Sequence, residues 1–236
     1  MQYLERFIKL LLKKGYRIIT MTELPYLYQI FIWAVPVIFA VTLHEVGHGL
    51  VAKILGDTTA EDMGRLTINP IKHIDLIGTI VVPLTMFFLS GFVFGWAKPV
   101  PINWNRLRNK KRDIALVALA GPFANLLMII FWLFVAKLFI GPAGQGNSAA
   151  SLLTFMAWAG IIINFLLMIV NLLPLPPLDG SRVLFSILPN KLAYQYIKLE
   201  KYGLLILVVL LITGVLAKTI GPVIAVFERL MHVLII

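Results

Sequence analysis

The stretch from Gln29 to Leu55, QIFIWAVPVIFAVTLHEVGHGLVAKIL, decides how this chain is read. A helix of about 20 predominantly apolar residues crosses a bilayer, yet this run carries His44, Glu45 and His48 in its second half. Ionisable groups inside a membrane segment cost about 3 kcal/mol each even on the lenient insertion scales, so they are functional by default. Two histidines four residues apart stand on one face of a helix and can share a metal ion, and the Glu between them can act as general base. Zinc suits such a pair, since it lowers the pKa of a bound water to about 7 and a neighbouring carboxylate can take the proton as that water attacks a carbonyl. The chain has 4 histidines, and two of them sit in this pentapeptide, which argues against chance.

Working outward, 60% of the 236 residues are hydrophobic and 14% are charged, whereas soluble domains carry roughly a quarter charged residues. The chain is expected to be an all-α integral membrane protein, a polytopic helical bundle of about four to six membrane segments, one of them a candidate for re-entry. Little is left over for a separate globular domain. The expectation is one unit over residues 1–236, with an interfacial amphipathic segment at 1–28, a catalytic core at 29–185 and C-terminal membrane helices at 186–236. The net charge of +10 lies beside apolar runs, which makes the lipid bilayer with its anionic headgroups the partner and excludes nucleic acid. Cysteine is absent. Disulfides, thiolate catalysis and Cys-ligated zinc are therefore excluded, and a metal site must draw on His, Asp, Glu or water.

Leu4, Phe7, Ile8, Leu11 and Leu12 recur at helical spacing among Arg6, Lys9, Lys13 and Lys14, the pattern of an interfacial helix. This start lacks the apolar core and small-residue cleavage site of a signal peptide. A polar loop is expected from Gly56 to Asp75, followed by an apolar segment from Leu76 to Trp96 that Gly78, Pro83, Gly91 and Gly95 interrupt. Lys98, Arg106, Arg108, Lys110, Lys111 and Arg112 make the next loop cytoplasmic by the positive-inside rule. Spans follow over Ile114–Ile140 and Leu152–Leu173, with the uncharged loop Gly141–Ser151 on the outer side. After Pro174, Pro176 and Pro177 come Leu178-Asp179-Gly180-Ser181, a lysine-bearing stretch, and two last apolar segments at Tyr202–Leu216 and Ile220–Ile236.

A catalytic zinc usually takes three protein ligands and keeps the fourth position for water. The candidates for the third are the acidic residues, His73 and His232. Asp179 stands out because it follows a span that returns to the cytoplasmic side, although Pro-Pro-Leu-Asp-Gly is also an ordinary turn with Asp as helix cap.

His44-Glu45-Val46-Gly47-His48, Gly121-Pro122-Phe123-Ala124-Asn125 and the segment Asn171 to Gly180, read in that order over residues 30–185, resemble the site-2 protease family of intramembrane zinc metalloproteases. The chain looks like its compact branch, without a PDZ or CBS domain. The resemblance implies that His44, His48 and Asp179 hold one zinc ion, that Glu45 is the catalytic acid/base, and that Asn125 and Asn171 line the substrate site. An amide inside a span must find partners, so an interhelical hydrogen bond is the other reading of both asparagines. His73, within Asn69-Pro-Ile-Lys-His-Ile-Asp75, either rests at the membrane surface after an Asn-Pro turn or approaches the active site.

The implied ligand set constrains topology. If Leu76–Trp96 crossed the membrane, the helix with His44 and His48 would run outward, with His48 in its outer half, while Asp179 emerged at the inner face. Coordination over about 2 Å does not allow that. Re-entry of Leu76–Trp96 brings both ligand groups toward the cytoplasmic face of a bacterial-type cell membrane, although it leaves the basic N-terminal segment outside, against the usual bias. The expected reaction is peptide-bond hydrolysis in or near the transmembrane segment of a substrate protein. The alternative is a zinc-binding carrier or regulatory scaffold on the same fold. A carrier would need a second acidic or His-rich site across the membrane, and the sequence offers none.

Overall fold

The computed structural model describes residues 24–82, 85 and 95–235. The interfacial helix expected at the N-terminus lies, up to residue 23, outside the described residues, as do 83, 84 and 86–94 of the interrupted apolar segment.

Among the described residues, three helices are long and apolar enough to cross a membrane: α1 (Tyr26–Ile54), α2 (Lys110–Gly144) and α3 (Ser148–Asn171). Each ends where its sequence supplies a stop. Lys53 occupies the last turn of α1, complementing the helix dipole, and Gly56 follows with a left-handed φ of 112°. Asp113 closes the start of α2, its Oδ2 accepting the Asn109 N–H at 2.7 Å. Between α2 and α3 the chain turns in three residues, where Gly146 takes φ 88° and the Asn147 side chain accepts the Ala150 N–H at 3.0 Å. The outer loop expected over Gly141–Ser151 is therefore shorter, because α2 continues through Gly144 and α3 starts at Ser148.

The three spans form the core of the molecule. Ile32 of α1, Ile129, Trp132 and Ala136 of α2, and Phe155 and Ile161 of α3 are buried together. Where α1 meets α2, small residues permit close approach: a Cβ on Gly47 would lie 2.8 Å from the Ala120 carbonyl oxygen.

The connection from α1 to α2 begins and ends at one level. Trp96 N–H donates to the Gly78 carbonyl at 3.0 Å, and the Thr79 hydroxyl donates to the Trp96 carbonyl at 2.9 Å. A helical crossing by the residues between them would part these ends by about 30 Å. Farther along, Arg108 N–H donates to the Leu55 carbonyl at 3.4 Å, and buried Asp57 accepts the Asn103 N–H at 2.6 Å. The C-terminus of α1 and the N-terminus of α2 thus share one end of the bundle, which is the arrangement that re-entry requires.

Beyond the proline-rich turn come α4 (Asp179–Ile187), α5 (Asn190–Ile197), α6 (Glu200–Ile212) and α7 (Val215–Ile235). The position expected to part the core from the C-terminal helices, between residues 185 and 186, lies in the last turn of α4. Gly214, at φ 71°, marks the break between α6 and α7, which are bent by 72° and together are long and apolar enough for a fourth membrane segment. Phe227 of α7 stacks on Phe165 of α3 with ring centroids 3.6 Å apart.

Candidate metal centre

The four-residue spacing of His44 and His48 turns both imidazoles toward α2, with their Nε2 atoms 3.1 Å apart. Asp179, the first residue of α4, brings Oδ2 to 3.2 Å from His44 Nε2 and Oδ1 to 3.3 Å from His48 Nε2. Four ligands arranged tetrahedrally with bonds of 2.0–2.1 Å would stand roughly 3.3 Å from one another. Among the described residues this trio is the group of His, Asp or Glu side chains whose donor atoms lie within 4.8 Å of each other.

The hydrogen bonds behind the imidazoles test whether a cation fits. His44 Nδ1 faces the Asn125 Oδ1 at 2.6 Å, and His48 Nδ1 faces the Val117 carbonyl at 2.7 Å. Both partners are acceptors, so each Nδ1 carries the proton and each Nε2 presents a lone pair. Two lone pairs directed at one point repel unless a cation lies between them. Asp179 Oδ2 is buried and accepts no hydrogen bond from the protein. The donor set fits a zinc ion. Gly121 of α2 makes room for the two rings, since a Cβ there would come within 2.6 Å of His44 Nε2 and nearer still to His48 Nε2.

Glu45 lies on the same turn, and its Oε2 accepts the Val100 N–H at 2.7 Å. Val100 stands between two prolines in the segment that leaves Trp96. Lys98 N–H in that segment donates to the His73 carbonyl at 3.0 Å, and Arg65 donates to the Lys98 and Pro99 carbonyls at 3.0 and 3.3 Å. The carboxylate is thus fastened to the return limb of the interrupted segment.

A Bacillus subtilis protein named "putative zinc metalloprotease YwhC" is 35% identical to this chain over 191 residues, covering 80% of this chain and 83% of that one. Residues 140–214 match peptidase family M50. The chain belongs to peptidase family M50. Two mycobacterial relatives of this M50 chain are each named "putative zinc metalloprotease Rip2". The one from Mycolicibacterium smegmatis is 33% identical over 186 residues, or 77% of this chain and 66% of its own length, and the one from Mycobacterium tuberculosis H37Rv is 26% identical over 178 residues, or 74% and 64%. No solved structure matches the chain. The M50 protein is an integral membrane member of a zinc metalloprotease family, and zinc is its cofactor.

The other sequence candidates fall in different places. Asn125 is fully buried behind His44, where its Nδ2 donates to the Ala40 carbonyl at 3.2 Å and to Asn164 Oδ1 at 2.9 Å. Its carbonyl and amide group are engaged inside the bundle, where they hold a ligand, in keeping with the interhelical hydrogen-bond reading of this residue. Asn171, half-buried at the end of α3, donates to the Leu167 carbonyl at 3.0 Å. His73 is buried in the turn Pro70–His73, its Nε2 donating to the Thr67 carbonyl at 2.9 Å, and it does not join the trio. The side chain of His232 lies outside the described residues.

Some supports of the M50 site went unread in the sequence. Asn164 extends the chain from His44 through Asn125, and its own Nδ2 donates to the Gly160 carbonyl at 2.8 Å. The rule that an amide in a span needs partners applies to it as much as to Asn125 and would have found it. The backbone groups at Val117 and Val100 carry no side-chain signature.

Proposed function

We propose that this M50 protein is an intramembrane protease that hydrolyses peptide bonds in or near transmembrane segments of other membrane proteins, with His44, His48 and Asp179 as zinc ligands and Glu45 as general base. The observation that carries the reading is the convergence of three oriented ligands beside Glu45 within a bundle of membrane-crossing helices. When bound, zinc supplies Lewis acidity and lowers the pKa of water to about 7. Asn125 and the Val117 carbonyl keep both imidazoles in the ligating tautomer. Val100 N–H orients Glu45, which takes a proton from the attacking water and returns it to the leaving amine. Asn171, near the turn that delivers Asp179, is the remaining amide able to hold an extended substrate. A helical substrate hides its carbonyls in internal hydrogen bonds, so it must unwind locally before attack, and helix-weakening residues near the cut favour cleavage.

The basic residues Arg106 to Arg112 stand at the end of the bundle shared by the α1 C-terminus, which supports an orientation with that end and the site toward the cytoplasm. Single cysteines at Met63, Asn109 and Gln145, labelled from each side of an intact cell membrane, test this. Labelling of the first two from the cytoplasm and of Gln145 from outside is expected, and the reverse pattern overturns it.

Glu45→Gln tests the chemistry, because it leaves all three ligands and removes the base. Zinc content should stay unchanged while cleavage of a transmembrane substrate falls by about 10²–10⁴. Normal turnover by this variant would reject Glu45 as the base. A wild-type protein that binds zinc fully and cleaves no transmembrane substrate would favour the scaffold reading instead.

A further inference from the structure

Between the start of α2, α4 and α5 lies an open cavity of about 410 Å³. Its interior is apolar, with Ile114, Phe185 and Ile197 among the walls and Trp104 at one side. Two cations also line it, Lys111 and Arg182, and no carboxylate does. Lys111 donates one hydrogen bond, to the Leu188 carbonyl at 2.9 Å, so two ammonium hydrogens remain for another acceptor. The Arg182 guanidinium pairs with Glu200 on one side and lies 5.6 Å from the centroid of the Trp104 ring on the other. Lys110 and Arg112 flank Lys111 along the chain, and Lys191 opens α5.

The position of this cavity in the membrane follows from α2. Lys111 is in the first turn of that span, and Ile114 begins its apolar run, so the cavity sits at headgroup depth and deepens toward the hydrocarbon. Cations at the rim above an apolar interior match a molecule with an anionic head and an acyl tail. A free anion would leave the interior unmatched. A zwitterionic lipid would bring a second cation against Lys111 and Arg182.

We propose that the cavity is a binding site for an anionic phospholipid, its phosphate at Lys111 and Arg182 and an acyl chain along Ile114, Phe185 and Ile197. The proposal does not depend on the proteolytic reading. It carries a structural consequence, because the wall formed by Arg182 and Phe185 belongs to α4, the helix that begins at Asp179. A lipid seated there braces the element that presents the carboxylate.

The test uses the full-length protein in neutral detergent, titrated with phosphatidylglycerol bearing brominated acyl chains, which quench nearby tryptophans. The chain has 5 tryptophans, so the contribution of Trp104 is isolated by difference with Trp104→Phe. A saturable quenching component that disappears in Trp104→Phe is expected. Lys111→Gln should weaken that component about tenfold, the effect of one charge-assisted hydrogen bond. Lys110→Gln removes the same charge one residue away from the lining and should leave it unchanged. Zinc content of each variant reports folding independently. Brominated phosphatidylcholine quenching with equal affinity would overturn the proposal, and so would equal weakening by the two lysine variants. Complete displacement by inorganic phosphate would assign the site to a free anion, and displacement by a soluble glutamate-rich peptide would assign it to an acidic protein segment. Either result rejects the lipid.

Discussion

His44 and His48 belong to one turn of one helix, whereas Asp179 reaches the same point from the far end of a proline-rich turn between α3 and α4. The supports of the two arms differ as much as their origins. Behind the histidines stand Asn125, Asn164 and the Val117 carbonyl, inside the three-span bundle, with Gly121 clearing the space in front of the rings. The Asp179 arm is braced at the edge of the bundle. Gly180 lies so close to the Leu172 and Leu173 carbonyls that a Cβ would collide with them, Gly203 of α6 presses likewise on the Pro176 carbonyl, and Tyr196 of α5 donates its hydroxyl to the Pro174 carbonyl at 2.9 Å. Water can replace a hydrogen bond at that edge and cannot do so within the bundle. The histidine arm is thus the rigid half of the site and the aspartate arm the adjustable half.

Removing an arm altogether has the largest expected effect. Asp179→Ala leaves two imidazoles and no anion, and zinc affinity should fall by more than about a hundredfold, since even partners behind a ligand are worth 10–100-fold. Chelator competition on the purified protein measures this, and circular dichroism should find the helices in place. Full zinc retention would break the comparison at its root, because another group would then supply the third ligand.

Weakening the rigid arm comes next. Asn125→Ala deprives the buried His44 Nδ1–H of its acceptor and leaves Asn164 Oδ1 without its donor, at a place no water reaches. Zinc affinity should drop about 10–100-fold. Asn125→Asp keeps the acceptor and should recover part of the loss. A residue that merely touched substrate would raise KM and leave zinc binding untouched, so the pair of readouts separates positioning from substrate contact.

The two arms also differ in how far the sequence disclosed them. The histidine pair is legible because its geometry is local: four residues of helix place both rings, and their cost in an apolar run marks them as functional. The spans are legible for a similar reason, as unbroken apolar runs between loops that carry charge or turn residues. Asp179 stands out among the acidic residues only by following a span that returns to the cytoplasmic side, and its assignment to the zinc rests on the resemblance, because its placement depends on how α4 to α6 pack. Re-entry of Leu76–Trp96 was inferred from the ligand set and not from that segment itself, whose glycines and proline are compatible with a kinked span. Asn125 keeps two readings in the sequence, interhelical hydrogen bond or substrate contact, because sequence shows that an amide lies in a span and not which way it turns. Val100 and Val117 act through backbone atoms, which every residue of the chain possesses.

The smallest expected effect tests the adjustable arm. Tyr196→Phe removes one hydroxyl from a partly exposed hydrogen bond to the Pro174 carbonyl and keeps the ring. Water can take over the carbonyl, so the loss should be near the low end for a neutral hydrogen bond, about 0.5–1 kcal/mol. That energy constrains the turn leading to Asp179 and reaches the metal only through it. Zinc affinity should therefore weaken about two- to fivefold, less than for Asn125→Ala in the same chelator competition. A loss as large as that of Asn125→Ala would mean that the turn is as rigid as the bundle, and the distinction between the arms would fall. No change at all would mean that Gly180 and Gly203, through their close approach to backbone carbonyls, already fix the turn without α5. Combining Tyr196→Phe with Asn125→Ala sharpens the comparison further. Independent supports on separate arms should give losses that add in free energy, whereas coupling between them would show that the two arms move as one body.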